Sequence, residues 1–198
     1  MCKLFQSFYL TIYFKPTSLE WVFYLENFLK VKRINTVFLH QLDFYYCCMK
    51  QRIYLDTSVI GGVFDQKFEE ITNKLFNLVK LNQIIVVLSD LTENEIKLAP
   101  LRVSNFFYSL GEYNLEFING TDESSLLANS YLNEKVVGPT SFDDCHHIAL
   151  ATISKVNILA SWNFKHIVNE NRIKGYNSVN LKLGYNQIKI LSPLQIIN

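Results

Sequence analysis

The chain has 198 residues, enough for one α/β domain with a sizeable core, or for one domain and an appendage. Its formal net charge of +1 excludes a broad basic surface, so a nucleic acid would have to be held by a few placed groups or by metal ions. No apolar run approaches the roughly 20 residues of a membrane helix, and the cysteines lack metal-ligand spacing. We therefore expect a reduced, cytoplasmic protein with no membrane association.

Composition changes abruptly near Met49. The first 48 residues are rich in aromatic side chains, contain none of the seven glycines and show no lasting helical or strand periodicity. The segment MKQRIYLDTS then reads as the start of a domain. We predict that residues 49–198 form the domain and that residues 1–48 are an extension, either translated upstream of the true start or poorly ordered. An apolar arm that docks on a partner is the competing interpretation.

Strand-like and helix-like stretches alternate from residue 51 onward. In chain order, we predict a strand at Arg52–Leu55, a helix at Phe68–Leu81, a strand at Ile84–Leu88, helices at Thr92–Leu98 and Leu101–Leu110, a strand at Leu115–Ile118, helices at Asp122–Lys135 (capped by Thr121) and Phe142–Ser154, a strand at Asn157–Ala160, a short helix at Phe164–Val168, a strand at Gln187–Leu191 and a helix start at Ser192 and Pro193. This alternation predicts a three-layer α/β/α sandwich with a central, mainly parallel sheet. The asparagine-rich stretch after Asn163, with Tyr176 and Tyr185, is predicted to be a surface loop able to contact bases or a protein.

Three acids and one amide fall near strand ends. Asp56 ends the first strand, Glu95 lies in the helix after the second, Asp144 opens the helix before the fourth, and Asn163 follows the fourth. Ligands of parallel sheets bind beyond the carboxyl ends of the strands, so these side chains are expected to converge there. Gathered carboxylates repel one another unless a divalent cation holds them, and oxygen ligands suit Mg²⁺ or Mn²⁺. One or two such ions could activate a water for attack on a phosphodiester.

Helix capping is the alternative explanation for each acid. Asp56 fits the N-cap of a helix after the first strand, and Thr92 with Glu95 fits a capping box. Ser141 and Asp144 have the same spacing before an apolar run. Independent caps would not have to fall at one end of one sheet, and this convergence favours the catalytic interpretation.

Two adjacent histidines follow the third acid. Consecutive helical residues project about 100° apart, so His146 and His147 cannot both face one ion. His147 lies three residues after Asp144, and we favour an exposed pair, or a supporting role for His147, over direct metal ligation. Cys145 has no evident partners for a nucleophile and is predicted to lie in the core.

The segment after the fourth strand carries candidate contacts to RNA. Trp162 could stack on a base, and Lys165 and His166 could contact phosphates. The alternative is equally open: Trp162 packs in the core and Lys165 is merely solvated.

Four blocks occur in order along the chain: IYLDTSVIGG, SDLTENEI, FDDCHHIALAT and ILASWNF. Together they resemble the PIN-domain nucleases, including the VapC-type toxins of bacterial and archaeal toxin–antitoxin pairs, over essentially residues 51–195. The resemblance implies an α/β/α sandwich, a Mg²⁺ or Mn²⁺ site and cleavage of RNA. It assigns the family's acids to Asp56, Glu95 and Asp144, and the hydroxyl beside the metal to Thr57 or Ser58. It also implies a small antitoxin partner and a homodimer.

Asn163 departs from the family pattern, which commonly has an aspartate there. An amide supplies an oxygen ligand without a charge. The resemblance is therefore to a PIN-like subgroup with one acid fewer. Whether one or two metals bind stays open. We predict a metal-dependent endoribonuclease, with a catalytically weak or inactive binding module as the alternative. A phosphatase of the haloacid-dehalogenase type would need a second aspartate where Ser58 stands.

Overall fold

The computed structural model describes residues 50–113 and 115–198. The chain divides into two units, Met1–Met49 and Lys50–Asn198, and every described residue belongs to the second unit. The predictions made for residues 1–48 therefore lie outside the described part. Within that part, no helix combines the length and the apolar character needed to cross a membrane.

Five strands form one parallel sheet. They are β1 (Gln51–Leu55), β2 (Ile84–Ser89), β3 (Leu115–Ile118), β4 (Ile158–Ala160) and β5 (Lys189–Leu191). The strand order is β3-β2-β1-β4-β5, and every neighbouring pair is parallel. In the central strand, Ile53 lies opposite Val86 of β2 on one side and Ile158 of β4 on the other.

Helices connect the strands and cover both faces of the sheet. They are α1 (Thr57–Gly61), α2 (Glu69–Lys80), α3 (Asp90–Lys97), α4 (Leu101–Ser109), α5 (Asp122–Asn133), α6 (Phe142–Ile153), α7 (Glu170–Lys182) and α8 (Pro193–Ile197). The predicted caps Thr121 and Ser192 are confirmed, and Pro193 occupies the first turn of α8.

Alternate residues of each strand enter two separate cores. Tyr54 and Leu159 pack with α5, α6 and α7, whereas Ile53, Leu55 and Ile158 pack on the other face with α1 to α4 and α8. Burial on both faces explains why β2 and β4 are continuous apolar runs in the sequence rather than alternating patterns. The predicted three-layer α/β/α sandwich around a parallel sheet is confirmed.

Two predictions about the segment after β4 are wrong. The stretch Phe164–Val168 is a turn, because the backbone N–H groups of Ile167 and Val168 both bond to the carbonyl oxygen of Asn163, at 3.0 Å and 2.8 Å, and the chain does not continue as a helix. Most of the predicted surface loop is the helix α7.

The core side of α7 is partly polar, and this concealed the helix in the sequence. Tyr176 is fully buried and cannot contact bases, which corrects the surface role predicted for it. Asn180 is also fully buried, where its side chain bonds to the hydroxyl of Tyr131 at 2.5 Å and to that of Thr152 at 3.3 Å. Because a polar residue occupies a core position, the apolar periodicity that identifies a helix is weakened.

Candidate metal and catalytic site

Asp56 stands at the carboxyl end of the central strand. Its side chain is buried, with 6% of the residue exposed. Its Oδ2 accepts hydrogen bonds from the hydroxyls of Ser58 at 2.5 Å and Ser161 at 2.6 Å. These two donors come from the residues after β1 and after β4, so the ends of two neighbouring strands fix one carboxylate.

The capping alternatives for the three acids are not met. Asp56 precedes α1 but makes no side-chain capping bond. Ser89 is the N-cap of α3 and accepts from the backbone N–H of Thr92 at 3.2 Å, so Glu95 lies beyond the first turn. Ser141 precedes α6 and also makes no side-chain capping bond. The three carboxylates are therefore not engaged in capping.

Glu95 and His147 join Asp56 in a compact cluster. Nε2 of His147 lies 3.0 Å from Oε2 of Glu95 and 3.6 Å from Oδ1 of Asp56. One ligand atom from each of the three residues lies within 4.8 Å of the others, the spacing of a metal site. The hydroxyl of Thr57 donates to Glu95 Oε2. His147 is 2% exposed, whereas the Glu95 side chain is 32% exposed, so the cluster opens to solvent beside Glu95.

A chain of buried hydroxyls supports His147 from within the domain. Nδ1 of His147 lies 2.7 Å from the hydroxyl of Tyr54, which lies 2.7 Å from Oγ of Ser89. Ser89 Oγ in turn lies 3.1 Å from Oγ1 of Thr92. Both nitrogens of the imidazole therefore have partners, and the ring orientation is fixed.

The charges in the cluster shift two pKa values in opposite directions. Burial opposes a charged imidazole, but the oxygen of Tyr54, the hydrogen bond with Glu95 and the charge of Asp56 raise the pKa of His147 well above its usual value. Burial would raise the pKa of Glu95, but its interactions with His147 and the hydroxyl of Thr57 lower it. Without a metal, both shifts favour the charged forms of His147 and Glu95.

Asp144 lies beside the cluster and is held by Asn163. The amide nitrogen of Asn163 donates to Oδ1 of Asp144 at 2.8 Å, and its amide oxygen accepts from the backbone N–H of His166 at 3.0 Å. Burial raises the pKa of Asp144, the charge of His166 lowers it and the charge of Asp56 raises it, with a net increase. The role of Asn163 as a fourth metal ligand stays a prediction; in this arrangement it positions Asp144.

Trp162 packs in the core instead of presenting a stacking surface. It is 8% exposed, and Phe68 stacks on it with ring centroids 4.3 Å apart and an interplanar angle of 16°. Its indole N–H donates to Thr72 Oγ1 at 3.0 Å. The predicted RNA contact by Trp162 is replaced by a structural role because its ring is already covered.

Basic groups lie between β4 and the first turn of α7. Lys165 is exposed, and His166 is half-buried. Nη1 of Arg172 donates to Nδ1 of His166 at 2.6 Å, and the hydroxyl of Ser141 lies 3.3 Å from the same nitrogen. The predicted contacts by Lys165 and His166 to phosphates remain predictions, and Arg172 joins them as a cation that the sequence did not single out.

Two members of the site, Ser161 and Tyr54, were not singled out from the sequence. Ser161 had one available signal, since it directly follows β4 at the predicted ligand-binding edge. His147 was considered for a supporting role because it lies three residues after Asp144, and it lies within the cluster itself. Tyr54 had none, because it lies within an apolar strand and only its hydroxyl reaches the site. Cys145 is fully buried in the core, as predicted.

No known family profile matches the chain, and no curated protein matches it. The solved structures that resemble it include the following three. A crystal structure of VapBC2 from Rickettsia felis bound to a DNA fragment from its promoter is 12% identical, over 72% of this chain and 98% of that one, with a TM-score of 0.45. FitAB bound to the IR36 DNA fragment is 12% identical over 71% and 94%, with a TM-score of 0.45. FitAcB from Neisseria gonorrhoeae is 13% identical over 72% and 98%, with a TM-score of 0.46. At this level of likeness, the function has to be inferred from the chain's own side chains.

Proposed function

We propose that this chain is a PIN-like, metal-dependent endoribonuclease that acts as the toxin of a toxin–antitoxin pair. The observation that carries the proposal is the cluster of Asp56, Glu95 and His147 at the carboxyl end of the sheet, with Asp144 beside it. The four sequence blocks that resemble PIN-domain nucleases supply the acids of this cluster. Cleavage of RNA phosphodiester bonds is the activity that the resemblance implies.

The donor set fits a divalent cation. Asp56 and Glu95 offer carboxylate oxygens close together, a costly arrangement for two negative charges unless a cation lies between them. Asp56 and Glu95 would hold the ion, with Asp144 completing the ligand set, and the exposed side of Glu95 leaves an approach for substrate. Mg²⁺ or Mn²⁺ is the proposed metal.

The cation would lower the pKa of an attacking water and neutralise negative charge that develops on the phosphodiester. The chain's own residues would prepare the rest. Ser58, Ser161 and Thr57 orient the two acids through hydroxyl hydrogen bonds. Asn163 holds the carboxylate of Asp144 through its amide N–H, which would keep this acid oriented as a member of the ligand set.

Basic groups would hold the RNA near this edge. Lys165, His166 and Arg172 lie on the segment that follows β4, and a net charge of +1 leaves few other sources of attraction for a polyanion. The phosphates of one or two nucleotides would therefore be bound locally, and the metal would supply much of the remaining positive charge.

The test is cleavage of a mixed RNA by the purified full chain with Mg²⁺, Mn²⁺ or a chelator. We expect cleavage that requires metal and falls at least about 100-fold in Asp56→Asn and Asp144→Asn. Asp143→Asn is the matched control, because Asp143 precedes Asp144 in the same helix and is exposed. Cleavage that persists in chelator or in Asp56→Asn would refute the proposal.

The second candidate is a catalytically weak or inactive binding module. Asn163 favours it, because an amide bonded to Asp144 replaces an acidic group. Metal or RNA binding without cleavage under any divalent ion would support this candidate. The toxin role has its own test: expression should arrest growth, Asp56→Asn should abolish the arrest, and the product of a neighbouring short reading frame should relieve it.

A further inference from the structure

We propose that His147 is a nitrogen ligand of the metal, oriented by Tyr54, and that it makes the site favour a first-row transition-metal ion over Mg²⁺. This inference rests on the proposed metal site and goes beyond the acids that the sequence resemblance assigns to it. It concerns which atoms hold the ion and which ion they select.

The position of Nε2 carries the first step. This nitrogen lies 3.0 Å from Glu95 Oε2 and 3.6 Å from Asp56 Oδ1, inside the cluster rather than at its edge. Neighbouring ligands of an octahedral ion with bonds of about 2.1 Å lie about 3 Å apart. The distance between Nε2 and Glu95 Oε2 is therefore the one expected between two neighbouring ligands of one ion.

The hydroxyl chain carries the second step, because Nε2 can ligate only if the ring proton sits on Nδ1. Nδ1–H can donate to the oxygen of Tyr54, whose hydroxyl then donates to Ser89, whose hydroxyl donates to Thr92 Oγ1. With the hydrogen bonds running in this direction, every contact has one hydrogen donor and one acceptor. A metal-bound histidine commonly donates its second N–H in this way, which fixes the ring and raises its basicity.

The burial of the ring carries the third step. His147 is 2% exposed, so Nε2 cannot turn toward bulk water, and its ring meets the edge of Tyr54 with centroids 5.7 Å apart. His146, the next residue, instead bonds through Nε2 to Ser124 at 2.9 Å. Helix α6 therefore places His147 within the cluster and gives His146 a different partner.

A nitrogen donor changes the preference among metals. Mg²⁺ takes oxygen ligands and keeps several waters, whereas first-row transition metals accept imidazole. A ligand set that adds one imidazole to the carboxylates should therefore bind Mn²⁺ more tightly than Mg²⁺, and later transition metals more tightly still.

The experiment uses Mn²⁺ as the probe, on the purified, metal-free full chain. Pulsed electron paramagnetic resonance should detect ¹⁴N coupling to the bound ion, and incorporation of ¹⁵N-histidine should replace it with ¹⁵N coupling. Competition should show Mn²⁺ bound at least tenfold more tightly than Mg²⁺. In His147→Gln, the nitrogen coupling should disappear and the preference for Mn²⁺ over Mg²⁺ should become smaller. His146→Gln should change neither the coupling nor this preference.

Tyr54→Phe tests the orienting role while keeping the ligand. It should weaken Mn²⁺ binding by about 10–100-fold, the usual effect of losing the partner of a ligating histidine, and should retain the nitrogen coupling. Thermal unfolding checks that each variant is folded. If His147→Gln does not fold, the ¹⁵N-histidine signal in the wild-type chain, together with Tyr54→Phe, still decides the question.

Mn²⁺ binding without nitrogen coupling, or coupling that survives His147→Gln, would overturn the inference while leaving a nuclease with oxygen ligands intact. Absence of Mn²⁺ binding would overturn both the inference and the proposed metal site. Nitrogen coupling in a chain that cleaves no RNA would support the inference and refute the nuclease alone.

Discussion

Asn163 donates its amide N–H to Oδ1 of Asp144 at 2.8 Å, while its amide oxygen accepts the backbone N–H of His166 at 3.0 Å. A backbone N–H only donates, so this second bond fixes which end of the amide faces the acid. Asn163 therefore presents hydrogen to Asp144, where an aspartate would present a second negative charge.

Replacing Asn163 by aspartate should make the metal-free chain less stable. Asn163→Asp removes a hydrogen bond to a charged group and sets two carboxylates against each other, so we expect a loss of about 1.5–3 kcal/mol near neutral pH. Denaturant unfolding with and without Mn²⁺ measures it, and the ion should restore much of the loss. Asn94→Asp is the control, because Asn94 is an exposed amide on α3. Equal stability of wild type and Asn163→Asp in chelator would contradict the contact.

The ion pair between His147 and Glu95 predicts how the stability of the metal-free chain depends on pH. The pKa of His147 is raised from 6.5, so its contribution is complete below that value and is lost as pH rises through the folded-state pKa. The pKa of Glu95 is lowered from 4.5, so its contribution is present above that value and is lost as pH falls through the folded-state pKa. The pair should therefore stabilise most between about pH 4.5 and 6.5.

Glu95→Gln separates this pair from other titrating groups. Removing the carboxylate should lower the pKa of His147, so the alkaline loss of stability should begin at a lower pH than in wild type. Free energies of unfolding measured in chelator from pH 4 to 9 would reveal the shift. Superimposable pH profiles for the two proteins would show that Glu95 does not stabilise the charged imidazole.

Gly62 and Gly61 offer a matched test of the packing around Trp162. A Cβ at Gly62 would lie 2.8 Å from Trp162 Nε1 and 2.9 Å from Thr72 Oγ1, the two atoms that share a hydrogen bond. Gly62→Ala should therefore destabilise the chain by about 1–3 kcal/mol. A Cβ added at Gly61 would meet nothing within 4 Å, and the backbone there is ordinary helix, so Gly61→Ala should be neutral or slightly stabilising. Equal effects on the melting temperature would contradict this account.

The predicted contact of Lys165 with a phosphate should affect the binding of RNA and not the chemical step of cleavage. If it contacts a phosphate, Lys165→Ala should raise KM for RNA severalfold with little change in kcat and should reduce the salt dependence of binding by about one phosphate contact. Lys182→Ala is the control, because Lys182 ends α7 and pairs with Glu134 at 2.5 Å. A fall in kcat with unchanged KM would assign Lys165 a different role.

The sequence predicts the sheet and the edge that carries the site because both depend on local patterns. A continuous apolar run identifies β2, and the rule for parallel sheets places Asp56, Glu95 and Asp144 at one edge. The structure brings Asp56 and Glu95 into one cluster with Asp144 beside it.

The parts that escaped prediction depend on which side chains pair inside the fold. Helix α7 lacked clear periodicity because the polar Asn180 lies in the core and is satisfied by Tyr131 and Thr152. His147 was expected to play a supporting role because adjacent histidines cannot both face one ion, but the spacing alone could not tell which of the two faces Glu95. Such pairings become visible only when the distant segments of the chain are brought together.

The strand order has a consequence for how the activity could be gained or lost. From β1 the chain first builds β2 and β3 on one side, with crossings on the face of α1 to α4, and later builds β4 and β5 on the other side, with crossings on the face of α5 to α7. The connections that leave β1 and β4 therefore run to opposite faces of the sheet. A crevice opens between the carboxyl ends of these two neighbouring strands. Since connectivity alone creates this opening, exchanging an acid would alter the chemistry of the site while preserving a place where a ligand can bind. A variant without the acids would thus keep a recess suited to recognition.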